Sequence, residues 1–203
     1  MFNAPPLYAI TDSTLLVGEK LLPAVAAAIR GGARWIQYRD KSGDSDKRIT
    51  EAKALKTLCE QLGARLLIND DVSLASAIGA HGVHLGQGDM ALTEARQILG
   101  PDSLIGITCH ASLELAQKAA AEGADYLAFG RFFPSATKPE APPAPLSLLA
   151  QARDSFDLPL VAIGGITPEN AASLRRSGAT TLAVCHSLFA ADDVESRARS
   201  FSA

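Results

Sequence analysis

Short apolar segments alternate with amphipathic stretches along the whole 203-residue chain. Eight of these segments have the length of β-strands, and they span residues 7–11, 35–39, 65–69, 82–86, 104–108, 126–130, 160–164 and 181–185. Several follow a glycine-alanine dipeptide, as at Gly63-Ala64 and Gly123-Ala124, and glycine commonly ends a helix. This alternation of strands and helices predicts a parallel sheet.

Eight strand and helix units favour a closed (β/α)8 TIM barrel of one domain, residues 1–203. The alternative is a doubly wound open sheet. Four helices are predicted from apolar residues at helical spacing, and they lie around residues 21–29, 52–62, 115–120 and 171–174. The length fits one domain with a substantial core and leaves no room for a second.

Composition excludes several kinds of protein. The net charge is −3 and no basic tract occurs, so nucleic-acid binding is not favoured. The first residues do not resemble a signal peptide, and no apolar run is long enough to span a membrane. The three cysteines form neither a disulfide framework nor a CxxC metal pair. These features predict a cytoplasmic protein whose partners are small molecules, not nucleic acid or membrane. They leave the oligomeric state open.

The end of the second predicted strand carries an amide and two cations on alternate residues. Gln37, Arg39 and Lys41 project from one face if the strand geometry continues to Lys41. Such a group suits an anion with several oxygens, such as a diphosphate. Taken alone, the same segment also fits a strand that ends in solvated charges.

Acidic residues follow the third and fourth strands. Asp70 and Asp89 end neighbouring strands, so their carboxylates are expected to meet at the barrel mouth and bind Mg²⁺ with a diphosphate. The alternative is that both cap helices, a role we assign to Asp71. No apolar surroundings are expected to raise the pKa of Asp70 or Asp89, so a paired acid–base mechanism is disfavoured.

The later strand ends suggest a second anion site. The sequence Gly164-Gly165-Ile166-Thr167 leads into a predicted helix, whose exposed amides suit a phosphate. His110 and His186 also lie at predicted mouth positions, although His186 equally fits a packing role. His81 and His84 have no recurring third ligand nearby, which favours hydrogen-bonded histidines over a metal site. The proline-rich residues 134–145 are predicted to form a surface loop after the sixth strand.

Taken together, these residues resemble the thiamine-phosphate synthase family almost from end to end. The resemblance is carried by the ordered set Tyr8-Ala9-Ile10-Thr11-Asp12, Gln37-Tyr38-Arg39-Asp40-Lys41, Ile68-Asn69-Asp70, Gly82-Val83-His84-Leu85-Gly86-Gln87 with Asp89, Asp125-Tyr126, Phe129-Gly130, Thr137-Lys138 and Ala162-Ile163-Gly164-Gly165-Ile166. It implies a TIM-barrel transferase of thiamine biosynthesis, which joins hydroxymethylpyrimidine diphosphate to a thiazole phosphate, or its carboxylated form, and releases diphosphate. The implied path is dissociative, through a pyrimidine cation, with Mg²⁺ as cofactor.

The resemblance also implies a role for each matching position. The implied contacts to the pyrimidine diphosphate are Gln37, Tyr38, Arg39, Asp40, Lys41, Asn69 and Thr108. The implied contacts to the thiazole substrate are Ser135, Ala136 and Thr137, with its phosphate at Gly165, Cys185 and His186. Lys138 would contact the diphosphate, and Asp70 and Asp89 would bind Mg²⁺. The implied catalytic residues are Arg39, Lys41, Thr108 and Lys138.

The chain departs from the family pattern at several positions. Thr108 stands where the family usually has serine, and Ser135 where it usually has threonine, so both hydroxyls are kept. Cys185-His186 replaces a common Ile-Ser pair, which is tolerable if that site binds phosphate through main-chain amides. Residues 139–145 lack the glycine usual in that loop.

Two other functions fit the same barrel. A thiazole tautomerase would need proton transfer, for which His110 is a candidate acid–base, but it would leave the cations and the acidic pair without a shared task. A non-catalytic protein that binds thiamine precursors is the second alternative, and the Cys185-His186 departure keeps it open.

Overall fold

The computed structural model describes residues 4–134 and 143–202. These residues form a closed barrel of eight parallel strands in sequential order. The strands are β1 (Leu7–Ile10), β2 (Trp35–Tyr38), β3 (Arg65–Asn69), β4 (Gly82–Leu85), β5 (Leu104–His110), β6 (Tyr126–Phe129), β7 (Leu160–Ile163) and β8 (Thr181–Val184). Every neighbouring pair is parallel, including β1 with β8, so the TIM-barrel prediction is confirmed and the open sheet is wrong.

Helices surround the strands in the described part of the chain. They are α1 (Leu21–Arg30), α2 (Ser45–Gln61), α3 (Val72–Ile78), α4 (Leu92–Leu99), α5 (Leu113–Ala121), α6 (Ser147–Ser155), α7 (Pro168–Ser177), α8 (His186–Phe189) and α9 (Val194–Ser202). Side-chain caps start several of them. Asp44 accepts a hydrogen bond from the amide of Lys47 at 2.9 Å, and Asp71 accepts one from Leu74 at 2.8 Å. The predicted capping role of Asp71 is therefore confirmed.

The strand boundaries differ little from the sequence prediction. β3 matches it, and six other strands end one residue earlier than predicted. β5 instead continues to His110, with a register irregularity between Thr108 and His110 against β6. In the described residues no helix is both long enough and apolar enough to cross a membrane.

Alternation along the strands divides the core into two layers. Residues of one parity, such as Ile36 and Ile68, pack outward against the helices. Residues of the other parity fill the barrel interior, where Trp35, Leu67 and Leu104 are buried. The interior is therefore closed by packed side chains over part of its length, and side chains nearer the carboxyl ends of the strands line an open cavity.

Gly106 gives the interior room for an aromatic ring. A Cβ atom at this position would lie 1.8 Å from Cζ of Tyr126, which is fully buried. The Tyr126 ring packs edge-on against Tyr8, with centroids 6.0 Å apart, and stacks on His84 at 5.6 Å. Glycine at 106 is thus required by the close approach of the Tyr126 ring.

Candidate active site

A cavity of about 590 Å³ opens at the carboxyl ends of the strands. All eight strands or the turns that follow them contribute to its wall. TIM barrels place their active sites at this end. Most of the sequence-predicted site residues that the structure describes line this cavity, namely Gln37, Arg39, Asn69, Asp70, Asp89, Thr108, Gly165, Cys185 and His186.

The three residues predicted to bind a diphosphate at the end of β2 do not all face the cavity. Gln37 and Arg39 line the cavity, as alternation requires. The strand ends at Tyr38, so Lys41 lies in the following loop and does not line the main cavity. It nevertheless forms an ion pair with Asp70, which does. Lys41 and the acidic pair therefore meet on one side of the mouth, and Arg39 lines the cavity at the end of β2.

Tyr38 and Asp40 have side chains of the opposite parity, and these side chains do not line the cavity. The Tyr38 hydroxyl donates to Glu51 at 2.7 Å, and the Asp40 carboxylate accepts from the Lys47 ammonium at 2.7 Å. Both partners lie on α2. These side chains hold the β2–α2 loop against its helix, so a substrate contact at either residue would run through the main chain. Their predicted binding role stays a prediction.

The Asp40 carboxylate is buried within this loop. Burial alone would raise its pKa, but the hydrogen bonds from Lys47 and from the Ser42 amide, the latter 2.6 Å long, lower the pKa to about 2. Asp40 thus remains ionised and anchors the segment that carries Arg39 and Lys41.

Asp70 and Asp89 come together as predicted. Asp70 follows β3 with a left-handed backbone, φ 62°, a conformation that aspartate tolerates better than most residues. Its carboxylate accepts a hydrogen bond from the side-chain amide of Asn69 at 2.7 Å and one from the Lys41 ammonium. Asp89 accepts one from the Gly86 amide at 2.7 Å. The two carboxyl groups lie close enough for each to shift the pKa of the other.

Their contact drives the pKa values of the two acids apart. Partial burial and the neighbouring Asp70 carboxylate raise the pKa of Asp89. Burial opposes ionisation of Asp70 as well, but the hydrogen bond from Lys41 and the interaction with Asp89 outweigh it and lower the pKa of Asp70. The expectation that neither pKa is raised is therefore wrong for Asp89. Burial and the charge of Asp70 raise its pKa without an apolar environment.

Thr108 and His84 meet in the wall of the cavity. The Thr108 hydroxyl lies 2.8 Å from Nε2 of His84, whose Nδ1 lies 2.8 Å from the Tyr126 hydroxyl. The predicted hydrogen-bonded role of His84 is confirmed. The same holds for His81, whose Nδ1 accepts from the Leu66 amide at 3.0 Å. His110 is exposed at the mouth, with φ 50°.

The β7 and β8 ends form the opposite wall. Gly165 has φ 63°, and a Cβ there would lie 2.2 Å from the Pro134 carbonyl oxygen. Thr167 and Asn170 form a capping box at the start of α7, and Asn170 also donates to the Gly165 carbonyl at 2.9 Å. Cys185 and His186 line the same wall at the start of α8. The structure thus brings together the residues predicted to bind a phosphate, Gly165, Cys185 and His186.

Other predicted site residues lie outside the part of the chain that the structure describes. They are Ser135, Ala136, Thr137 and Lys138, which belong to the predicted proline-rich loop 134–145. Their roles stay predictions.

Sequence reasoning missed Tyr8, Tyr126 and the cavity role of His84. Gln37, Tyr8, Tyr126, His84 and Thr108 form one chain of hydrogen bonds across the barrel. Tyr8 and Tyr126 lie 118 residues apart, so no local motif links them. The available signal was parity, because all of these residues take inward positions on their strands.

Comparison with known proteins places this site in a family. The model of the family described as thiamine monophosphate synthase matches residues 7–188. The chain belongs to this family. It is 58% identical over 198 residues to the thiamine-phosphate synthase of Saccharophagus degradans. The aligned region covers 97% of this chain and 91% of that protein. The corresponding protein of Marinobacter nauticus is 52% identical over 200 residues, which cover 98% and 90% of the two chains.

Solved structures agree with this membership of the thiamine monophosphate synthase family. Thiamine phosphate pyrophosphorylase from Pyrococcus furiosus superposes with a TM-score of 0.87 and 35% identity, covering 96% of this chain and 92% of that one. A 3-hexulose-6-phosphate synthase, at 15% identity and a TM-score of 0.68 over 97% of each chain, shares the fold alone. With the curated relatives, these likenesses identify the chain as an enzyme, a transferase.

Proposed function

We propose that this enzyme joins the hydroxymethylpyrimidine diphosphate to the thiazole phosphate, or its carboxylated form, and yields thiamine phosphate and diphosphate. The observation that carries the proposal is the division of one cavity into two unlike walls. Arg39, Asp70 and Asp89 lie on one wall, and the Gly165 turn lies on the other. Two phosphorylated substrates that react at a point between their anionic ends fit such an arrangement.

The acidic pair fits a magnesium ion. Asp70 and Asp89 lie close enough for each to shift the pKa of the other, and a divalent cation between them would offset the repulsion of the two carboxylates. Among the described residues no group of three or more His, Cys, Asp or Glu side chains is placed to hold a metal. Mg²⁺ commonly takes one or two carboxylates and completes its shell with water and substrate phosphates. We therefore assign Asp70 and Asp89 as its protein ligands.

The chemistry needs stabilisation of a departing diphosphate more than it needs a base. When bound, Mg²⁺ would supply positive charge to the diphosphate oxygens. Arg39 and Lys41 add charge on the same side, and Asn69 orients Asp70. The thiazole nitrogen attacks with its own lone pair, so no proton must be removed from it. Thr108 would hold the pyrimidine, and the Gly165 turn with Cys185 and His186 would hold the thiazole phosphate. Lys138 remains a predicted contributor.

Mixing the two substrates with purified enzyme and Mg²⁺ tests this proposal directly. The expected products are thiamine phosphate and diphosphate in equal amounts, with turnover abolished by EDTA and restored by excess Mg²⁺. Near-normal turnover in EDTA would overturn the metal assignment while leaving the reaction intact.

The same assay separates the alternatives. Isomerisation of the thiazole substrate without diphosphate release would identify a tautomerase. Saturable binding of both compounds without turnover would identify a non-catalytic binding protein. The cytoplasmic location remains a prediction.

A further inference from the structure

We propose that the Tyr8–Tyr126–His84 chain fixes the direction of the Thr108 hydroxyl, so that Thr108 donates a hydrogen bond into the cavity. Tyr8, Tyr126 and His84 would then be positioning residues that select a hydrogen-bond acceptor on the ligand, such as a pyrimidine ring nitrogen. The choice of ligand rests on the proposed function; the direction of the chain does not.

The direction is set at Gln37. Its side-chain nitrogen donates to the Tyr8 hydroxyl at 2.7 Å. Tyr8 is 1% exposed, and in the described residues its hydroxyl has one further partner, the Tyr126 hydroxyl at 3.1 Å. A buried hydroxyl proton without an acceptor is costly. Since Gln37 already uses one acceptor position of Tyr8, the Tyr8 proton must point to Tyr126.

The same reasoning carries the direction through Tyr126. Its hydroxyl is completely buried and accepts from Tyr8, so its own proton must point to Nδ1 of His84, 2.8 Å away. Burial raises the pKa of both tyrosines, which keeps both hydroxyls protonated as donors. Nδ1 of His84 is therefore an acceptor.

A neutral imidazole carries a single N–H, so His84 must carry its proton on Nε2. Nε2 lies 2.8 Å from the Thr108 hydroxyl oxygen and donates to it. Thr108 then accepts from inside the wall, and its own proton is available to a ligand in the cavity that it lines. Gln37 lines the same cavity, so the chain couples two ligand-facing groups on different strands.

Histidine-selective ¹⁵N NMR on the free enzyme tests the direction without any substrate. The chain has four histidines, and comparison with His84→Gln assigns the resonances of His84. The expected spectrum shows one neutral tautomer protonated at Nε2. A neutral tautomer protonated at Nδ1 would overturn the proposal, because the chain would then run in the opposite direction. If His84→Gln fails to fold, replacing His81, His110 and His186 one at a time assigns the wild-type resonances of His84 by elimination.

Tyr126→Phe tests the consequence for the ligand. We expect it to release the single tautomer and to raise the KM for the pyrimidine diphosphate about tenfold, the scale of one misdirected hydrogen bond. The KM for the thiazole phosphate should change by less than about twofold. Thr108→Val combined with Tyr126→Phe should cost less than the product of the single effects, because both act on one contact.

Thr181→Val is the matched control. Thr181 is buried in β8, its hydroxyl donates to the Pro5 carbonyl at 2.7 Å, and it does not line the cavity. It should leave both KM values within about twofold, since only a remote buried hydrogen bond is lost. Equal changes in both KM values for Tyr126→Phe, or multiplicative effects in the double variant, would contradict the positioning role. Absence of turnover in the wild type would refute the proposed function instead, and would leave the NMR result standing.

Discussion

The two walls of the cavity hold their ligand groups by different means. The wall at the ends of β2, β3 and β4 carries charged side chains. Lys41 forms an ion pair with Asp70 at its edge, and the pair of Lys47 with Asp40 holds the loop behind it. The wall at the ends of β7 and β8 has the sequences Gly164-Gly165-Ile166-Thr167 and Val184-Cys185-His186-Ser187, without an acid, lysine or arginine. Its shape comes from glycine backbone and a capped helix start.

Because of this difference, the two walls should respond to different kinds of substitution. A site made of side-chain charges depends on residue identity and on pH. A site made of main-chain amides depends on backbone conformation and tolerates changes of side chain. Substitutions on the two walls test that contrast.

Loss of a charged group from the first wall should have the largest effect. Lys41→Ala and Asp89→Ala are each expected to lower kcat at least about 100-fold, as removal of an electrostatic contact to a leaving group often does. Steady-state kinetics with both substrates saturating measures this. Asp71→Asn is the matched control, because Asp71 caps α3 and pairs with Arg48 outside the main cavity. A loss in Asp71→Asn as large as in Asp89→Ala would assign the effect to general disruption.

The first wall should also be sensitive to acid. The pKa of Asp40 is lowered to about 2, so its ionisation stabilises the fold above its ordinary pKa near 4. That stabilisation, about 2 kcal/mol, is lost as the pH falls from about 4 to about 2. Asp40→Asn should flatten this part of the pH dependence of the unfolding free energy, measured by urea denaturation. An unchanged slope would show that the Lys47 ion pair does not hold the loop.

The second wall should be sensitive to backbone change. Gly165→Ala forces a side chain into φ 63° and toward the Pro134 carbonyl. We expect the KM for the thiazole phosphate to rise roughly tenfold and the KM for the pyrimidine diphosphate to change much less. Gly63→Ala is the control, because it has a similar φ of 70° but nothing within 4 Å of its added Cβ. Equal kinetic effects of both substitutions would remove the special role of the Gly165 turn.

Side chains on the second wall should matter least. His186→Ser is expected to leave kcat within about twofold and to keep or improve affinity for the thiazole phosphate, because the proposed binding is through main-chain amides. Kinetic titration of the thiazole phosphate measures both quantities. A collapse of activity would assign a specific role to the His186 imidazole and would blur the contrast between the walls.

Much of the fold could be predicted from sequence because strand and helix periodicities are local. The charged wall could also be predicted from sequence, because Arg39 and Asp89 are charged residues at strand ends. Strand alternation predicts that the Tyr38 and Asp40 side chains point away from the cavity, as the structure has them. The family resemblance implied substrate contacts along the whole segment and did not distinguish the two faces. The meeting of Asp70 with Asp89 was predicted from their places at neighbouring strand ends, but the left-handed backbone of Asp70 after β3 was not.

The hydrogen-bond chain through the barrel could not be found in the same way. It needs Tyr8 and Tyr126 to meet across the interior, which depends on barrel closure and on the missing side chain at Gly106. Residues that no motif joins become neighbours only when the sheet closes.

The packed interior has one further consequence. Since Trp35, Leu67 and Leu104 fill the barrel beneath the cavity, packed side chains close its lower end in the described residues, and it opens at the carboxyl ends of the strands. A molecule that binds deep in this cavity, against Tyr8, is therefore expected to enter before one that binds nearer the opening.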